Sequence, residues 1–221
     1  MKIALFGYGK MNRLVASLAK EEGHEICAIF SQSKAQGELK KADIAIDFSS
    51  STCVLAHVKL ASQAKIPIVI GTTGWKQEKE AQEIVMEEGT AALYAPNFSV
   101  GIYLFYELLK KASTLFQNYE AIGIETHHSK KKDAPSGTAK EIEAIFDNKL
   151  PFHSIRIGSH PGKHEVVFDS PYDTIHLVHE ARNKEGFAKG ALTCANWLIG
   201  KKGWYTIDAV YRSLYSTDHS I

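Results

Sequence analysis

Residues 125–141, which read ETHHSKKKDAPSGTAKE, gather two histidines and three lysines before a turn rich in small residues. Imidazole groups exchange protons near neutral pH, and lysine ammonium groups attract anions. The Pro-Ser-Gly-Thr stretch indicates the start of a helix, where backbone N–H groups bind negative charge. The segment therefore predicts a site for a small carboxylated molecule, with a histidine and a lysine available for proton transfer.

The same segment has plainer interpretations. A run of three lysines is most often solvated surface. Adjacent histidines on a strand point to opposite faces, so they are poor partners for one metal ion, and no metal site is predicted. The helix is expected to begin near Thr138, which has capping-box spacing with Glu141. The backbone amides of residues 136–138 are expected to be free at its start.

A second constellation lies near the beginning of the chain, where LFGYGKMNR follows an apolar run and opens a helical pattern. Gly7 and Gly9 match the first two glycines of G-x-G-x-x-G, in which one glycine permits a tight turn and the next admits a pyrophosphate. Asn12 replaces the third glycine, which weakens the match. Lys10 adds positive charge beside the expected phosphate.

The segment FSQSK, after the second predicted strand, contains no acid to bind ribose hydroxyl groups. Ser31, Ser33 and Lys34 are candidates to hold a 2′-phosphate instead, so NADPH is expected to serve at least as well as NADH. The loops GTTG (71–74) and APNFSVG (95–101) follow later strands. Ligands bind at the carboxyl ends of strands in open α/β sheets, so both loops are expected to line the same crevice.

The elements that must position these residues change character near residue 98. Apolar strands alternate with helices before it, which predicts a Rossmann-type parallel sheet covered on both faces. The predicted strands are 2–6, 24–30, 43–48, 66–71 and 91–97.

Beyond residue 98 the pattern predicts a long helix, a strand at 119–127, a helix to about 148, and three antiparallel strands joined by HPGK and SPYD turns. The fold class is therefore α/β with an additional α+β domain whose sheet is mainly antiparallel. We expect a dinucleotide-binding domain at 1–98, to which the helical tail at 188–221 could return, and a substrate-binding domain at 99–187; the resemblance described below adds oligomerisation to the second domain and completion by the tail to the first.

Bulk composition excludes some functions. The chain has 26 lysine and arginine residues against 25 aspartate and glutamate residues, and its net charge of +1 argues against a nucleic-acid partner. No apolar run approaches the length that spans a membrane, and the opening residues do not read as a signal peptide. The three cysteines are few and scattered, which suits a reducing compartment. A cytoplasmic protein is expected.

Residues 125–139 resemble the signature E-x-H-H-x-x-K-x-D-A-P-S-G-T-A of the 4-hydroxy-tetrahydrodipicolinate reductase (dihydrodipicolinate reductase) family. The likeness extends through DFSS, VIGTTGW, APNFSVGI and FAKGALTCANWLIGKKG, in the family's order and over nearly the whole chain. It implies NAD(P)H-dependent reduction of a cyclic dicarboxylate to tetrahydrodipicolinate in lysine and diaminopimelate biosynthesis, by a cytoplasmic homotetramer assembled through the second domain.

The resemblance also implies roles for particular residues. His127 matches the proton donor, and Lys131 matches the lysine that holds a carboxylate and assists loss of water. The expected substrate contacts are His128, Ser136, Gly137 and Thr138. The expected cofactor contacts, for NADPH or NADH, are Gly7, Gly9, Lys10, Met11, Ser31, Gly71, Thr72, Thr73, Pro96, Asn97 and Phe98.

Two alternatives stay open from the sequence. Another two-domain NAD(P) dehydrogenase, such as an aspartate dehydrogenase, would share the glycine turn but has no need for HHSKKKDAPSGT. A non-enzymatic nucleotide-sensing regulator would need a wider basic face or a stacking platform for nucleic acid. Turnover of the dicarboxylate, and its inhibition by pyridine-2,6-dicarboxylate, would discriminate between these functions.

Overall fold

The computed structural model describes residues 1–32, 35–147 and 149–215. The chain forms two compact units, one of Met1–Ser99 with Glu185–Ile221 and one of Val100–Lys184. The sequence pattern instead places these boundaries at 98/99 and 187/188. The described helices are all too short or too polar to cross a membrane.

The first unit is built on a seven-stranded sheet. Its strands are β1 (Lys2–Phe6), β2 (Glu25–Phe30), β3 (Ala35–Gly37), β4 (Ile44–Asp47), β5 (Ile68–Ile70), β6 (Ala91–Tyr94) and β11 (Gly203–Thr206). Its helices are α1 (Lys10–Glu21), α2 (Val54–Gln63), α3 (Glu78–Glu87), α6 (Glu185–Leu198) and α7 (Ile207–Tyr215), with a 3-10 helix at Leu39–Lys41.

The strand order is β11-β6-β5-β4-β1-β2-β3, and every neighbouring pair is parallel except β2 and β3. Helix α1 packs against α6, and α2 packs against α3. The central strands are mostly apolar, with Asp47 at the end of β4 as a buried exception, because helices cover both faces of the sheet. The strand order reverses between β1 and β4, which makes their carboxyl ends the topological switch point where such sheets bind ligands. The predicted Rossmann-type fold class is confirmed.

The tail of the chain completes this first unit. Helix α6 packs against β4, β5 and β6, and the hydroxyl of Tyr211 in α7 donates a 2.8 Å hydrogen bond to the carbonyl oxygen of Phe98. Gly190 of α6 lies against the same carbonyl group. The sequence pattern did not predict β3, the 3-10 helix, β11 or α7.

The second unit packs two helices on one face of a four-stranded sheet. Its strands are β7 (Glu120–His127), β8 (Phe152–Arg156), β9 (Lys163–Asp169) and β10 (Thr174–Glu180), and its helices are α4 (Val100–Leu115) and α5 (Gly137–Ile145). The order is β10-β9-β7-β8, antiparallel except between β7 and β8. The SPYD turn joins β9 to β10 as predicted.

The predicted antiparallel pairing through the HPGK turn is wrong. Strand β8 pairs with β7, and β9 pairs with the opposite edge of β7. Because α5 connects β7 to β8, the two strands form a crossover unit, and such a connection makes them parallel. The sheet is therefore mainly but not wholly antiparallel.

Helices α4 and α5 cover the inner face of this sheet. The inner face packs Val166 and Phe168 against Leu109 of α4 and Ile142 of α5. The outer face carries apolar side chains that are between 47% and 60% exposed, namely Ile155, Ile157 and Val178. Ile155 lies in the edge strand β8, Ile157 directly follows it, and Val178 lies in the opposite edge strand β10, so exposed apolar groups occur at both edges of the sheet.

The close approach of Gly190 to Phe98 predicts a large effect of one methyl group. A Cβ at position 190 would overlap the Phe98 carbonyl oxygen, so we expect Gly190→Ala to destabilise the protein by about 1–3 kcal/mol. Gly186, in the same helix, has no atom within 4 Å of an added Cβ. We expect Gly186→Ala to be neutral, or stabilising by up to about 1 kcal/mol. Urea denaturation measures both, and equal midpoints would contradict this account of the tail.

Candidate active site

The turn after β1 requires glycine at its first position. Gly7 has a φ of +83°, and a Cβ there would collide with Phe48 O and Ser49 Cα. Gly9 is the N-cap of α1, and open space surrounds the position of its missing Cβ. A backbone that turns sharply and then leaves room at a helix N-terminus fits a pyrophosphate group.

Asn12 supports this turn directly. Its side chain is buried, and Nδ2 donates hydrogen bonds to Phe6 O at 2.8 Å and Gly7 O at 2.9 Å. From the sequence alone, Asn12 weakens the match to the glycine fingerprint because it replaces the third glycine. The structure corrects that interpretation, since the amide group holds the glycine turn against the end of β1.

The buried carboxylate of Asp47 joins the neighbouring loops. It accepts hydrogen bonds from the backbone and hydroxyl of Ser49 and from the hydroxyl of Thr72, all at 2.7–2.9 Å. His57 of α2 places Nδ1 2.7 Å from the other carboxylate oxygen. This network holds the loop after β4, the loop after β5 and α2 together. Sequence reasoning used DFSS only as a family motif and missed these roles.

A cavity of about 630 Å³ opens beside the glycine turn, a volume common for small-molecule sites. Among the residues predicted to bind the cofactor, it is lined by Gly7, Gly9 and Ser31. Its lining also includes residues that were not predicted as cofactor contacts, namely Tyr8, Phe30, Gln32, Phe48, Ser49, Ser50, Cys53 and His57. Ser33 and Lys34 lie outside the described residues.

The other predicted cofactor residues do not line this cavity. Lys10 and Met11 lie in the first turn of α1, residues 71–73 follow β5, and residues 96–98 follow β6. Because β1, β5 and β6 are parallel, these loops share one edge of the sheet. The hydroxyl of Thr72 is already bonded to Asp47.

In the second unit, the turn of interest connects β7 to α5. Ser136 is the N-cap of α5, and its hydroxyl oxygen accepts a 3.2 Å hydrogen bond from Ala139 N. The predicted capping box at Thr138 and Glu141 is therefore wrong. The backbone N–H of Ser136 donates to both oxygens of Glu125 at 3.2 Å, so that amide is not free.

Glu125 is completely buried and lies at the centre of a polar network. Its Oε1 accepts hydrogen bonds from Ser154 Oγ at 2.6 Å and from Arg156 Nη2 at 2.7 Å. Burial by itself would raise the pKa of Glu125, but hydrogen bonds from His164, Ser136, Ser154 and Arg156 outweigh it and hold the pKa far below its usual range. The carboxylate is therefore ionised throughout the neutral range.

His127 lies on the same face of β7 as Glu125, and its side chain is only 11% exposed. Its Nε2 is 3.4 Å from Glu125 Oε2, and its ring meets that of His164 edge-on, with centroids 5.2 Å apart. Burial and the neighbouring His164, Lys131 and Arg156 lower the pKa of His127 to about 4, against the opposing influence of Glu125. The imidazole is neutral at physiological pH.

Only the middle residue of the three-lysine run is sheltered. Lys131 is 22% exposed, whereas Lys130 and Lys132 are exposed. Its ammonium group contacts both carboxylate oxygens of Asp133 at 2.8 Å, which lowers the pKa of Asp133. In this run, therefore, Lys131 is paired with Asp133, whereas Lys130 and Lys132 are surface residues.

The remaining predicted substrate contacts surround this network. His128 is half-buried and directly follows β7. Gly137 begins α5, and the first-turn amides of a helix lack acceptors within it. Thr138 hydrogen-bonds the hydroxyl group of Tyr106.

Glu125, His127 and His164 each offer one potential metal-ligating atom, and these atoms lie within 4.8 Å of one another. Sequence spacing could not reveal this grouping, because strand pairing brings His164 of β9 opposite Glu125 of β7. However, Glu125 is already bonded to Ser136, Ser154 and the Arg156 guanidinium group. A divalent cation would have to compete with that guanidinium for the same carboxylate. The contacts already made by Glu125 therefore disfavour a metal ion at this group.

A parallel sheet with a glycine turn at its switch point, followed along the chain by a second α+β unit, is the architecture of two-domain nicotinamide-dependent oxidoreductases. Family models for the N-terminus and the C-terminus of dihydrodipicolinate reductase match residues 1–98 and 101–211. The chain therefore belongs to the 4-hydroxy-tetrahydrodipicolinate reductase family.

Individual relatives agree with this assignment. Proteins named 4-hydroxy-tetrahydrodipicolinate reductase are 32% identical in Christiangramia forsetii and 36% identical in Staphylococcus carnosus, over 97% and 95% of this chain and 99% of each relative. The alternatives of an aspartate dehydrogenase and a nucleotide-sensing regulator are not favoured.

Solved structures show the same fold. A dipicolinate-bound dihydrodipicolinate reductase from Paenisporosarcina sp. TG-14 has a TM-score of 0.80 at 21% identity, over 93% of this chain and 97% of that one. The C. glutamicum DAP dehydrogenase in complex with DAP has a TM-score of 0.59 at 12% identity, over 99% and 96% of the two chains.

The environment of His127 predicts its titration. We expect the imidazole to stay neutral above about pH 5 and to protonate near a pKa of about 4, well below the usual 6.5. Because the unfolded chain binds this proton more readily, the contribution of His127 destabilises the fold progressively as pH falls from 6.5 towards 4. Nitrogen-15 NMR of the histidine rings measures the titration, with His127→Gln to assign the signal. A midpoint at or above 6.5 would contradict the prediction.

Proposed function

We propose that this protein catalyses the NAD(P)H-dependent reduction of 4-hydroxy-tetrahydrodipicolinate to tetrahydrodipicolinate, a step of lysine and diaminopimelate biosynthesis. Membership of the reductase family supports the reaction. The observation that carries the assignment of roles is a single polar network. Arg156 Nη2 donates both to Glu125, which faces His127, and to the carbonyl oxygen of Asp133, which holds Lys131.

The substrate is a small dicarboxylate, and the second unit binds it. Its carboxylates contact His128, Ser136, Gly137 and Thr138, at the start of α5. The first-turn amides of a helix, with nearby lysine and histidine, are suited to a carboxylate. The solved relative from Paenisporosarcina sp. TG-14 is described as bound to dipicolinate.

His127 is the proton donor. In the free protein its imidazole is neutral, because burial and three basic neighbours lower its pKa to about 4. A substrate with two negative charges reverses this balance, since an opposite charge within about 4–6 Å favours the cationic form. The imidazolium then gives its proton to the carbon of the enamine that reduction leaves in the ring, and the neutral imidazole regains a proton from solvent.

Lys131 exchanges partners during the reaction. It is held by Asp133 in the free protein, and a substrate carboxylate replaces that exposed partner. The ammonium group then fixes the ring and assists departure of the C4 hydroxyl group as water. Once water has left, the ring takes up a hydride and the proton from His127, so atoms and charges balance.

The first unit binds the nicotinamide cofactor, which supplies the hydride when it is bound. Gly7 and Gly9 would hold the pyrophosphate at the N-terminus of α1, and Ser31 would contribute to the adenosine end of the site. The supporting observations are the turn at Gly7 that excludes a side chain, the open space at Gly9, and the adjoining cavity. The loops at 71–73 and 96–98 complete the site, together with Lys10 and Met11.

We further propose that the protein is a cytoplasmic homotetramer assembled through the outer face of the second unit's sheet. Ile155, Ile157 and Val178 on that face are exposed in the single chain. Burying such side chains against other copies would remove apolar surface from water, which favours association.

The reaction is tested by following nicotinamide oxidation with the product of dihydrodipicolinate synthase as substrate. We expect turnover, inhibition by pyridine-2,6-dicarboxylate, and a kcat/KM with NADPH at least equal to that with NADH, because no acid follows β2. If neither NADPH nor NADH supports turnover, the proposed reaction is refuted. A preference for NADH of about a hundredfold or more would refute only the cofactor assignment.

The catalytic roles predict two slow variants with matched controls. We expect His127→Gln and Lys131→Ala each to lower kcat on the order of a hundred- to ten-thousandfold, because a proton donor and a transition-state cation are removed. NADPH affinity should not change. Lys130→Ala and Lys132→Ala alter exposed neighbours in the same run and should leave turnover nearly unchanged. Near-normal turnover in His127→Gln or Lys131→Ala would show that the roles are misassigned.

A further inference from the structure

Glu125 is held from three separate elements. Ser154 and Arg156 of β8 bind its Oε1, and the backbone N–H of Ser136, at the N-cap of α5, binds both oxygens. His164 of β9 lies directly opposite Glu125 in the sheet, with Nε2 3.6 Å from Oε2. A carboxylate restrained in this way cannot follow a neighbouring side chain that moves.

The oxygen Oε2 is directed at the imidazole of His127. The distance from His127 Nε2 is 3.4 Å, and this buried nitrogen has no hydrogen-bond partner among the described residues. A small rotation of the ring would close the gap to a hydrogen bond. Gly162 lies against the Cε1–Nδ1 edge of the ring, where an added Cβ would come within 3.0 Å of Cε1 and 3.3 Å of Nδ1.

We propose that Glu125 is the positioning residue of the proton donor: it orients His127 through Nε2–H, so that Nδ1 is the nitrogen that delivers the proton. This inference rests on the proposed function. Neutral His127 carries its hydrogen on Nε2, and the proton acquired with the substrate is bound at Nδ1. That proton passes from Nδ1 to the ring carbon and leaves the Nε2 tautomer unchanged, ready for the next proton.

The charged and titratable groups around His127 make this role specific. Arg156 of β8, His164 of β9 and Lys131 of the following turn all disfavour its cationic form, whereas Glu125 of β7 favours it. Replacing Glu125 by an isosteric neutral amide therefore removes the charge that favours the imidazolium form of His127. Arg156, His164 and Lys131, which disfavour that form, stay in place. The hydroxyl of Ser136 further holds His164, at 3.1 Å from Nε2.

Glu125→Gln tests the proposal. We expect kcat to fall on the order of tenfold to a hundredfold, with little change in NADPH affinity. The limb of the kcat–pH profile that reports protonated His127 should move about one to three pH units lower. In the His127→Gln background, Glu125→Gln should cause no further loss, because the residue acts through the imidazole. Glu120→Gln, on the same strand but exposed, should behave like the unaltered protein.

Nitrogen-15 NMR of the His127 ring gives a readout that does not depend on turnover. The unaltered protein should show the Nε2–H tautomer, and Glu125→Gln should lose that preference. Ser154→Ala removes one anchoring hydrogen bond without removing the charge and should show a smaller effect in the same direction, even if Glu125→Gln folds poorly. The proposal is overturned if the tautomer is unchanged, or if the double variant shows the full additive loss. If the unaltered protein shows the Nε2–H tautomer but no turnover, the proposed reaction is refuted, whereas the proposed orientation of His127 by Glu125 is not.

Discussion

An ionised carboxylate can remain inside a protein only where hydrogen bonds and a counter-charge replace the water that it loses. Glu125 meets that condition with donors from β8 and from the N-terminus of α5. The requirement works in both directions. The donors keep the carboxylate charged, and the carboxylate determines where Ser136 begins its helix and where the Arg156 side chain lies. The turn that carries Lys131 is thereby held, since Arg156 also binds the carbonyl oxygen of Asp133.

In the first unit, a buried carboxylate likewise holds loops together, here at the carboxyl end of a central strand. Asp47 ends a central strand, is buried, and binds the loop after its own strand, the loop after the next strand, and His57 of α2. In each unit, therefore, one carboxylate at or near a strand end holds the loops on which ligand contacts depend. Removing the carboxylate of Glu125 or of Asp47 would leave its buried hydrogen-bond donors without an acceptor. The loss of stability is then larger than that from breaking a single surface ion pair.

Much of the fold could be predicted because local patterns determine it. Fully apolar strands that alternate with helices allow few arrangements other than a covered parallel sheet. The three-residue strand β3 and the strand β11 have too little periodicity to be recognised, and their pairing depends on neighbours far along the chain. The parallel pairing of β8 also escaped prediction, because a turn-like sequence such as HPGK suggests a hairpin whatever the strand before it pairs with.

The site was predictable to the extent that its chemistry is contiguous in sequence. The run from Glu125 to Ala139 contains the histidine, the lysine and the helix start. Sequence could not reveal that His164 and Arg156 complete the network, since strand register across the sheet brings them there. Nor could spacing show that His127 is kept neutral and Lys131 is kept paired in the free protein.

The neutral state of His127 and the pairing of Lys131 with Asp133 together favour a substrate with two negative charges. One carboxylate must displace Asp133 from the ammonium group, and further negative charge must overcome the basic neighbours of the imidazole. A ligand with one carboxylate could replace Asp133 at the lysine and still leave His127 neutral, without the proton that its proposed role as donor requires.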